Sequence, residues 1–149
     1  MALYNIFNIA GSSMSAQSVR LNTVASNLAN ADVVSTKAAD VYRSRQPVFS
    51  AVMDALNSNG SQGGLQGVGN GQSSIPVRVA AIVESKAAAR QEYQPEHPMA
   101  NEQGYIFKSN VNTIEEMANM MAASRSYQNN VEVFNTSKQL LLKTLSMGR

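Results

Sequence analysis

Residues 3–31, LYNIFNIAGSSMSAQSVRLNTVASNLANA, carry the pattern that decides the fold. Apolar side chains recur there at alternating spacings of four and three, with Gln17 as the one polar position. The apolar members of this N-terminal seam are Leu3, Phe7, Ala10, Met14, Leu21, Val24, Leu28 and Ala31. A repeat of about 3.5 residues held over about four heptads is typical of a coiled-coil helix. The pattern therefore predicts an N-terminal core helix over 1–31.

The other end of the chain carries a second seam with the same spacing, in which Ser124 and Lys138 are the polar positions. Its apolar members are Met117, Met120, Tyr127, Val131, Phe134, Leu141 and Leu145. Asn112 is a favourable N-cap, and Glu115 three residues later completes a capping-box pattern. We therefore expect a C-terminal core helix within 112–149.

The segment between the helices, 32–111, contains the strand signals. Val77–Val83 is rich in β-branched and apolar residues, which predicts a strand, and Tyr105–Lys108 could supply its partner. Val41–Phe49 is a further possible strand, and Pro47 would confine it to a sheet edge. The middle segment is therefore expected to contain a small β region.

Residues 57–74 contain six of the nine glycines and no charged residue. This composition predicts a flexible glycine-rich loop. The fold class that follows is mainly α with a small β region, in which two long terminal helices form a coiled-coil-like core.

Composition excludes several classes of protein. The 12 Lys and Arg residues are spread along the chain opposite 10 Asp and Glu, so no basic patch indicates nucleic-acid binding. Cysteine is absent, which excludes disulfides and thiolate metal sites. No apolar run approaches the roughly 18 residues of a membrane span, and the N-terminus does not resemble a cleaved signal peptide.

The two predicted helices are poor in charge, and Arg20 is the only charged residue between Leu3 and Ala31. Asn, Ser and Thr fill most of the remaining positions, and these residues are weak helix formers. Such faces suit enclosure by neighbouring chains, because a buried amide or hydroxyl is satisfied more easily than a buried charge. Unassembled, the ends should be poorly ordered. The alternative is a soluble helical-hairpin interaction module, such as an export adaptor or chaperone.

Three blocks of sequence carry a family resemblance. Ile9–Gln17 and Leu21–Asp32 closely resemble the N-terminal segment of bacterial flagellar axial proteins. Asn110–Thr136 is similar to the corresponding C-terminal segment of proximal rod proteins, and Glu96–Tyr105 to the loop before it. The blocks stand at opposite ends of the chain in the family's order, so they favour a structural rod subunit.

The resemblance implies that the terminal helices form the inner core of a helical tube, which transmits torque and forms part of the export channel. It implies that 32–111 faces outward, that both seams form the assembly interface, and that the flagellar type III apparatus exports the chain without a cleaved signal peptide. Expected partners are other copies, the proximal and distal rod subunits and the basal adaptor, in the periplasmic rod of the basal body. The stretch 57–74 looks longer than is usual in the family.

Enzymatic and metal-binding interpretations find little support. The single histidine, His97, lies between two prolines in a predicted loop, and Glu115 and Glu116 point about 100° apart on a helix. The glycines of 57–74 lack the Gly-Lys-Ser/Thr that a phosphate-binding loop requires. Methionines at helical spacing fit packing better than metal binding. We therefore expect no catalytic, cofactor or metal site.

Overall fold

The computed structural model describes residues 2–52 and 75–147, and two long helices dominate this part of the chain. The mainly α fold with a small β region is confirmed. The predicted loop 57–74 lies outside the described residues, as does Gly148. The helices are α1 (Ala2–Ala29) and α2 (Thr113–Met147), and the strands are β1 (Val34–Ser35), β2 (Arg45–Ala51), β3 (Val77–Glu84), β4 (Arg90–Tyr93) and β5 (Tyr105–Lys108).

The two helices pack against each other and run antiparallel. Phe7, near the start of α1, meets Phe134 in an edge-to-face contact with ring centroids 4.9 Å apart. Towards the other end, the Arg20 guanidinium donates to the Asn119 amide oxygen over 3.1 Å. Since α1 has 28 residues and α2 has 35, their lengths are about 42 and 52 Å.

Helix α2 begins where the sequence predicts. The side-chain oxygen of Asn112 accepts a hydrogen bond from the amide of Ile114 at 3.2 Å, which makes Asn112 the N-cap. Its carbonyl accepts the first helical hydrogen bond, from the amide of Glu116. The cap matters for the site, because it fixes the direction of the first turn, on which Glu116 lies.

The described strands form two separate antiparallel sheets. One has the order β1-β5-β4, and the other is the ladder β2-β3. The prediction that β5 pairs with β3 is therefore wrong. Strand β5 pairs with β4, where Glu92 forms an ion pair with Lys108 and Tyr93 packs edge-on against Tyr105. These cross-strand pairs stabilise a strand whose sequence, RQEY, has little apolar content to reveal it.

The partner of β3 is β2, which begins four residues later than the possible strand starting at Val41. Val41 itself is buried outside any strand. Pro47 lies opposite Ile82, and the register shifts between Val48 and Phe49, which marks a β-bulge or irregularity. A proline is tolerated here because a two-stranded ladder consists of edge strands.

Most of the buried apolar residues lie where the sheets meet the end of α1 and the start of α2, whereas Ala10, Ala16 and Ala123 lie further along the helices, and much of the apolar surface of the helices remains exposed. The buried apolar residues are Ala10, Ala16, Val24, Ala31, Val41, Ile106, Val111 and Ala123. Within residues 2–52 and 75–147, neither helix has a stretch apolar and long enough to cross a membrane. The hydrophobic core of the described residues therefore lies mainly at one end of the helix pair.

Candidate assembly interface

The N-terminal seam lies on the buried and half-buried face of α1. None of its described side chains is exposed, and the side chain of Leu3 lies outside the description. The buried members are Ala10, Val24 and, just past the helix, Ala31, and the half-buried members are Phe7, Met14, Leu21 and Leu28. The 3.5-residue repeat therefore marks the face of α1 that packs within the chain.

The C-terminal seam is placed differently. The residues of α2 that are buried are Glu116, Ala123 and Ser137, at heptad spacing and each one position before the predicted Met117, Ser124 and Lys138. Neighbouring helical residues point about 100° apart, so the face of α2 that contacts α1 is rotated from the predicted one. Of the predicted members, Met120, Val131, Phe134 and Leu141 are half-buried, whereas Met117, Tyr127 and Leu145 are exposed.

Small residues, Ala123 and Ser137, occupy two of the three buried positions on the face of α2 that packs inward. Ala123 has no exposed surface, and a residue without a long side chain allows the two helices to approach closely. Met117 would hold them further apart, and it instead leaves 55% of its surface exposed. The apolar stripe of α2 is therefore only partly used within the chain.

The last two turns of α2 extend beyond α1. The contacts of Phe7 with Phe134 and of Arg20 with Asn119 imply that the first residue of α1 lies level with about residue 139 of α2. Beyond that point α2 presents apolar side chains around most of its circumference. The exposed ones are Leu140, Leu142, Leu145 and Met147, and Leu145 is 64% exposed.

A buried asparagine joins the end of α1 to the start of β2. Asn27 has no exposed surface. Its amide nitrogen donates to the Arg45 carbonyl at 2.8 Å, and its oxygen accepts from the Arg45 amide and the Tyr42 hydroxyl, each at 2.9 Å. In the sequence, Asn27 is only one of the many Asn, Ser and Thr residues of α1, and its neighbours in sequence give no sign of this contact.

A second asparagine ties the two sheets to the start of α2. The oxygen of Asn110 accepts from the Ser44 amide at 2.8 Å, and its nitrogen donates to the Ala87 carbonyl at 3.0 Å. The Ser44 carbonyl in turn accepts from the Ser85 amide at 2.8 Å. Together with Asn27, this contact fixes the direction in which the β region projects from the helices.

Glu116 is the one charged side chain buried in the described part of the chain, with 5% of its surface exposed. Its Oε2 has no hydrogen-bond donor among residues 2–52 and 75–147. Burial raises the pKa of this carboxyl, and the Glu115 carboxylate acts in the same direction, while the Asn27 side chain and the Arg20 guanidinium oppose them. The carboxylate therefore sits at a junction that does not fully satisfy it.

The surfaces of the two helices carry groups suited to packing and hydrogen bonding. In the described ranges, no three His, Cys, Asp or Glu side chains are grouped so that they could hold a metal ion. What the two helices present is apolar area, small residues and hydrogen-bonding amides. Groups of this kind are suited to packing against other protein surfaces.

Comparison with known proteins decides the family. Residues 7–35 match the model of the flagella basal body rod protein family, and residues 102–147 match that of the flagellar basal body rod FlgEFG protein C-terminal region. The flagellar basal-body rod protein FlgC of Salmonella typhimurium is 46% identical over 149 residues, which cover 100% of both chains. The chain belongs to the FlgC family of flagellar basal-body rod proteins. This confirms the resemblance to rod proteins.

Other members of the FlgC family match over a similar length. The FlgC proteins of Escherichia coli O157:H7 and of Buchnera aphidicola from Acyrthosiphon pisum are 46% and 45% identical, with coverage of 100% and 99% of each chain. The family favours a structural rod subunit over an export adaptor or chaperone.

Proposed function

We propose that the chain is a structural, non-enzymatic subunit of the proximal rod of the bacterial flagellum, polymerising through its terminal helices. The helical ends, 1–31 and 112–149, form the inner core of the tube in a coiled-coil-like arrangement, and 32–111 faces outward. The rod transmits torque and encloses part of the export channel. The subunit reaches the periplasmic basal body through the flagellar type III apparatus without a cleaved signal peptide.

The observation that carries this proposal is the apolar surface that α2 leaves uncovered. Met117 and Leu145, both members of the seam, are 55% and 64% exposed. Burying one such side chain fully contributes about 1.5–3 kcal/mol. Several of them, spread over a helix about 52 Å long, supply enough free energy to hold a subunit in an assembly.

The neighbours that fit this surface are chains with the same pair of apolar, charge-poor helices. We infer that they include copies of this chain, the other proximal rod subunits, the distal rod and the basal adaptor. The polar face of α1, with Asn5, Asn8, Ser15, Ser18 and Asn22 exposed, suits hydrogen bonds between chains. Charged faces would instead incur repulsion and desolvation on enclosure.

Substitutions at largely exposed positions test the proposal, because they disturb packing within the chain little. We expect Met117→Asp and Leu145→Asp to leave the melting temperature of the free chain within about 2 °C of wild type, as is usual for surface changes. Incorporation into purified basal bodies, and motility, should be lost, because each variant places a charge in an enclosed contact.

Ala118→Asp and Gln139→Asp serve as matched controls on exposed positions of α2 outside the seam. We expect both to retain more incorporation than the seam variants. Normal rods built from Leu145→Asp would mean that the overhanging end of α2 faces solvent in the assembly. Absence of the wild-type chain from basal bodies would refute the proposed function itself.

A further inference from the structure

A cleft of about 300 Å³ opens where α1, α2 and β2 meet. Its charged groups come from all three elements: Arg20 from α1, Glu115 and Glu116 from α2, and Arg45 from β2. Phe49 and Pro47 form an apolar wall on the β2 side. The cleft therefore combines a hydrophobic side with a cluster of ionisable groups.

Glu116 is the unusual member of this cluster. It is more than nine-tenths buried, it lines the cleft, and its Oε2 accepts no hydrogen bond from the described residues. A buried carboxylate oxygen without a donor is costly, and such groups in native structures are usually satisfied by protein, water or an ion. Oε2 is itself covered in the free chain, and Glu116 is one of the residues that line the cleft, so a donor that enters the cleft can reach this oxygen once the side chain turns towards it.

Both arginines of the cleft bind residues other than Glu115 and Glu116. Arg45 pairs with Glu84 at 2.9 Å, and Arg20 donates to the neutral amide of Asn119 at 3.1 Å. Among the residues that the structure describes, neither arginine forms an ion pair with Glu115 or Glu116. The charge of Arg45 is balanced by Glu84, so Arg20 alone stands against the carboxyls of Glu115 and Glu116, and the cleft carries an excess of one negative charge when both carboxyls are ionised.

We propose that this cleft receives a basic side chain, a lysine or an arginine, from a neighbouring rod subunit, and that Glu116 Oε2 is its acceptor. The inference rests on the proposed function, because it needs a neighbour packed against the start of α2. The single positive charge of such a side chain balances the charge of the cleft. Its N–H groups donate to the free oxygen of Glu116, and its aliphatic stem packs on Phe49 and Pro47. The exposed lysines 138 and 143 at the far end of α2 show that a subunit of this family can present such a group.

The first experiment separates a role in assembly from a role in folding. Glu116→Gln keeps the shape of the side chain and removes the charge. In the free chain we expect its melting temperature to equal or exceed that of wild type, since a poorly satisfied buried charge has been removed. Incorporation into basal bodies should fall tenfold or more, whereas Glu132→Gln, at an exposed position of the same helix, should change neither quantity by more than twofold.

Two results would overturn the inference while leaving the proposed function intact. Rods built by Glu116→Gln at the wild-type level would show that no neighbour needs the charge. A melting temperature that falls together with incorporation would show that the carboxylate stabilises the free chain instead. The proposed function fails separately, if the wild-type chain is absent from basal bodies.

The second experiment identifies the occupant. Because the chain has no cysteine, Gln46→Cys, exposed at the edge of the cleft, can carry a thiol-attached photo-crosslinker in assembled basal bodies. We expect mass spectrometry to find it joined to another rod subunit within one helical turn of a lysine or arginine. Attachment to a segment without a basic residue would refute the inference, and so would attachment confined to residues of the same molecule that border the cleft.

Discussion

The side-chain amide of Asn27 pairs with both main-chain polar groups of Arg45, donating to its carbonyl at 2.8 Å and accepting from its amide at 2.9 Å. A strand partner would satisfy Arg45 in much the same way, so a single residue of α1 serves as the neighbour that β2 lacks on this side. Since Asn27 also accepts from the Tyr42 hydroxyl, it fixes where the β region leaves the helices. This contact links the expected core of the rod to its expected outer surface.

Removing that amide should destabilise the free chain. We expect Asn27→Ala to lower the free energy of unfolding by about 2–4 kcal/mol, because the Arg45 amide and carbonyl and the Tyr42 hydroxyl lose their partner. Urea unfolding followed by circular dichroism measures it. Asn22→Ala, at an exposed position of α1, is the control and should change stability by less than about 0.5 kcal/mol. Equal effects of the two substitutions would contradict the role given to Asn27.

Glu116 should make stability depend on pH. Folding raises the pKa of its carboxyl above the ordinary 4.5, mainly through burial, so the folded chain holds this proton more tightly than the unfolded chain. The stabilising contribution is therefore complete below about pH 4.5 and is lost as the pH rises through the raised pKa. The Glu116→Gln variant has no carboxyl at this position, so it does not lose this stability as the pH rises.

The difference in melting temperature between Glu116→Gln and wild type should grow from near zero at about pH 4 to a gain for the variant at about pH 7. Lys108 lowers the pKa of Glu92, which acts in the opposite direction, but this contribution is common to both proteins and cancels in the difference. Melting curves across this range provide the measurement. A difference that is constant with pH would show that burial does not disfavour the Glu116 charge.

Close packing at Ala123 should be sensitive to size. Ala123 is fully buried between the helices, and its neighbour Ala122 is exposed. We expect Ala123→Leu to lower the free energy of unfolding by about 1–3 kcal/mol, because the added carbons force α2 away from α1. Ala122→Leu adds the same volume outside the contact and should be nearly neutral. If Ala122→Leu were the more harmful of the two, the orientation of α2 would be wrong.

The sequence predicts both helices and the strands β3 and β5 because each of these elements has a local signal. The heptad repeat of α1, the Asn112 cap of α2 and the β-branched run of β3 need no knowledge of distant residues. The pairing of β5 with β4 could not be predicted, since the signal of β4 is a salt bridge and a tyrosine contact that exist only after pairing. The contacts of Asn27 and Asn110 could not be predicted for the same reason, because their partners are main-chain groups far along the chain.

The rotation of α2 has a different origin. Apolar periodicity marks every position that some partner will bury, and it does not say which partner. Within the chain, α1 takes the narrow face that contains Ala123 and Ser137, because small residues allow close approach. Met117 and Leu145 belong to the same repeat and remain exposed. A seam wider than the internal contact is what we expect of a helix that also packs against other subunits, and the substitutions proposed above test it.

The narrow contact between the helices leads to a prediction about the free chain. On α2, the face that contacts α1 holds Glu116, Ala123 and Ser137, and these residues bury little apolar area. In addition, α1 is rich in weak helix formers. In dilute monomer we expect amides in both terminal helices to exchange rapidly and those of β5, around the buried Ile106, to be protected. Hydrogen exchange read by NMR measures both regions. Strong protection along α1 and α2 would contradict folding that is coupled to assembly.

The glycine-rich stretch should be dispensable for the rod core. Ala51 pairs with Val77 across the β2-β3 ladder, and the Val52 amide donates to the Pro76 carbonyl at 2.9 Å, so the two ends of the intervening segment lie side by side. A shorter connection can therefore close the same ladder, and the free energy of closing a loop depends only weakly on its length. We expect a chain that lacks 60–71 to be exported and to build rods, as judged by motility and by the content of purified basal bodies.

The matched control for this deletion removes Gln94–Gly104, the connection between β4 and β5. Gly104 has a φ of 78°, and a Cβ there would lie 2.8 Å from the Tyr93 ring, so this turn is built for its position and its loss should prevent assembly. If deletion of 60–71 also abolished rods while export continued, the glycine-rich stretch would have to form a subunit contact of its own. That contact would then belong to the outward-facing segment and not to the helical core, because the paired ends of the stretch lie in the β region.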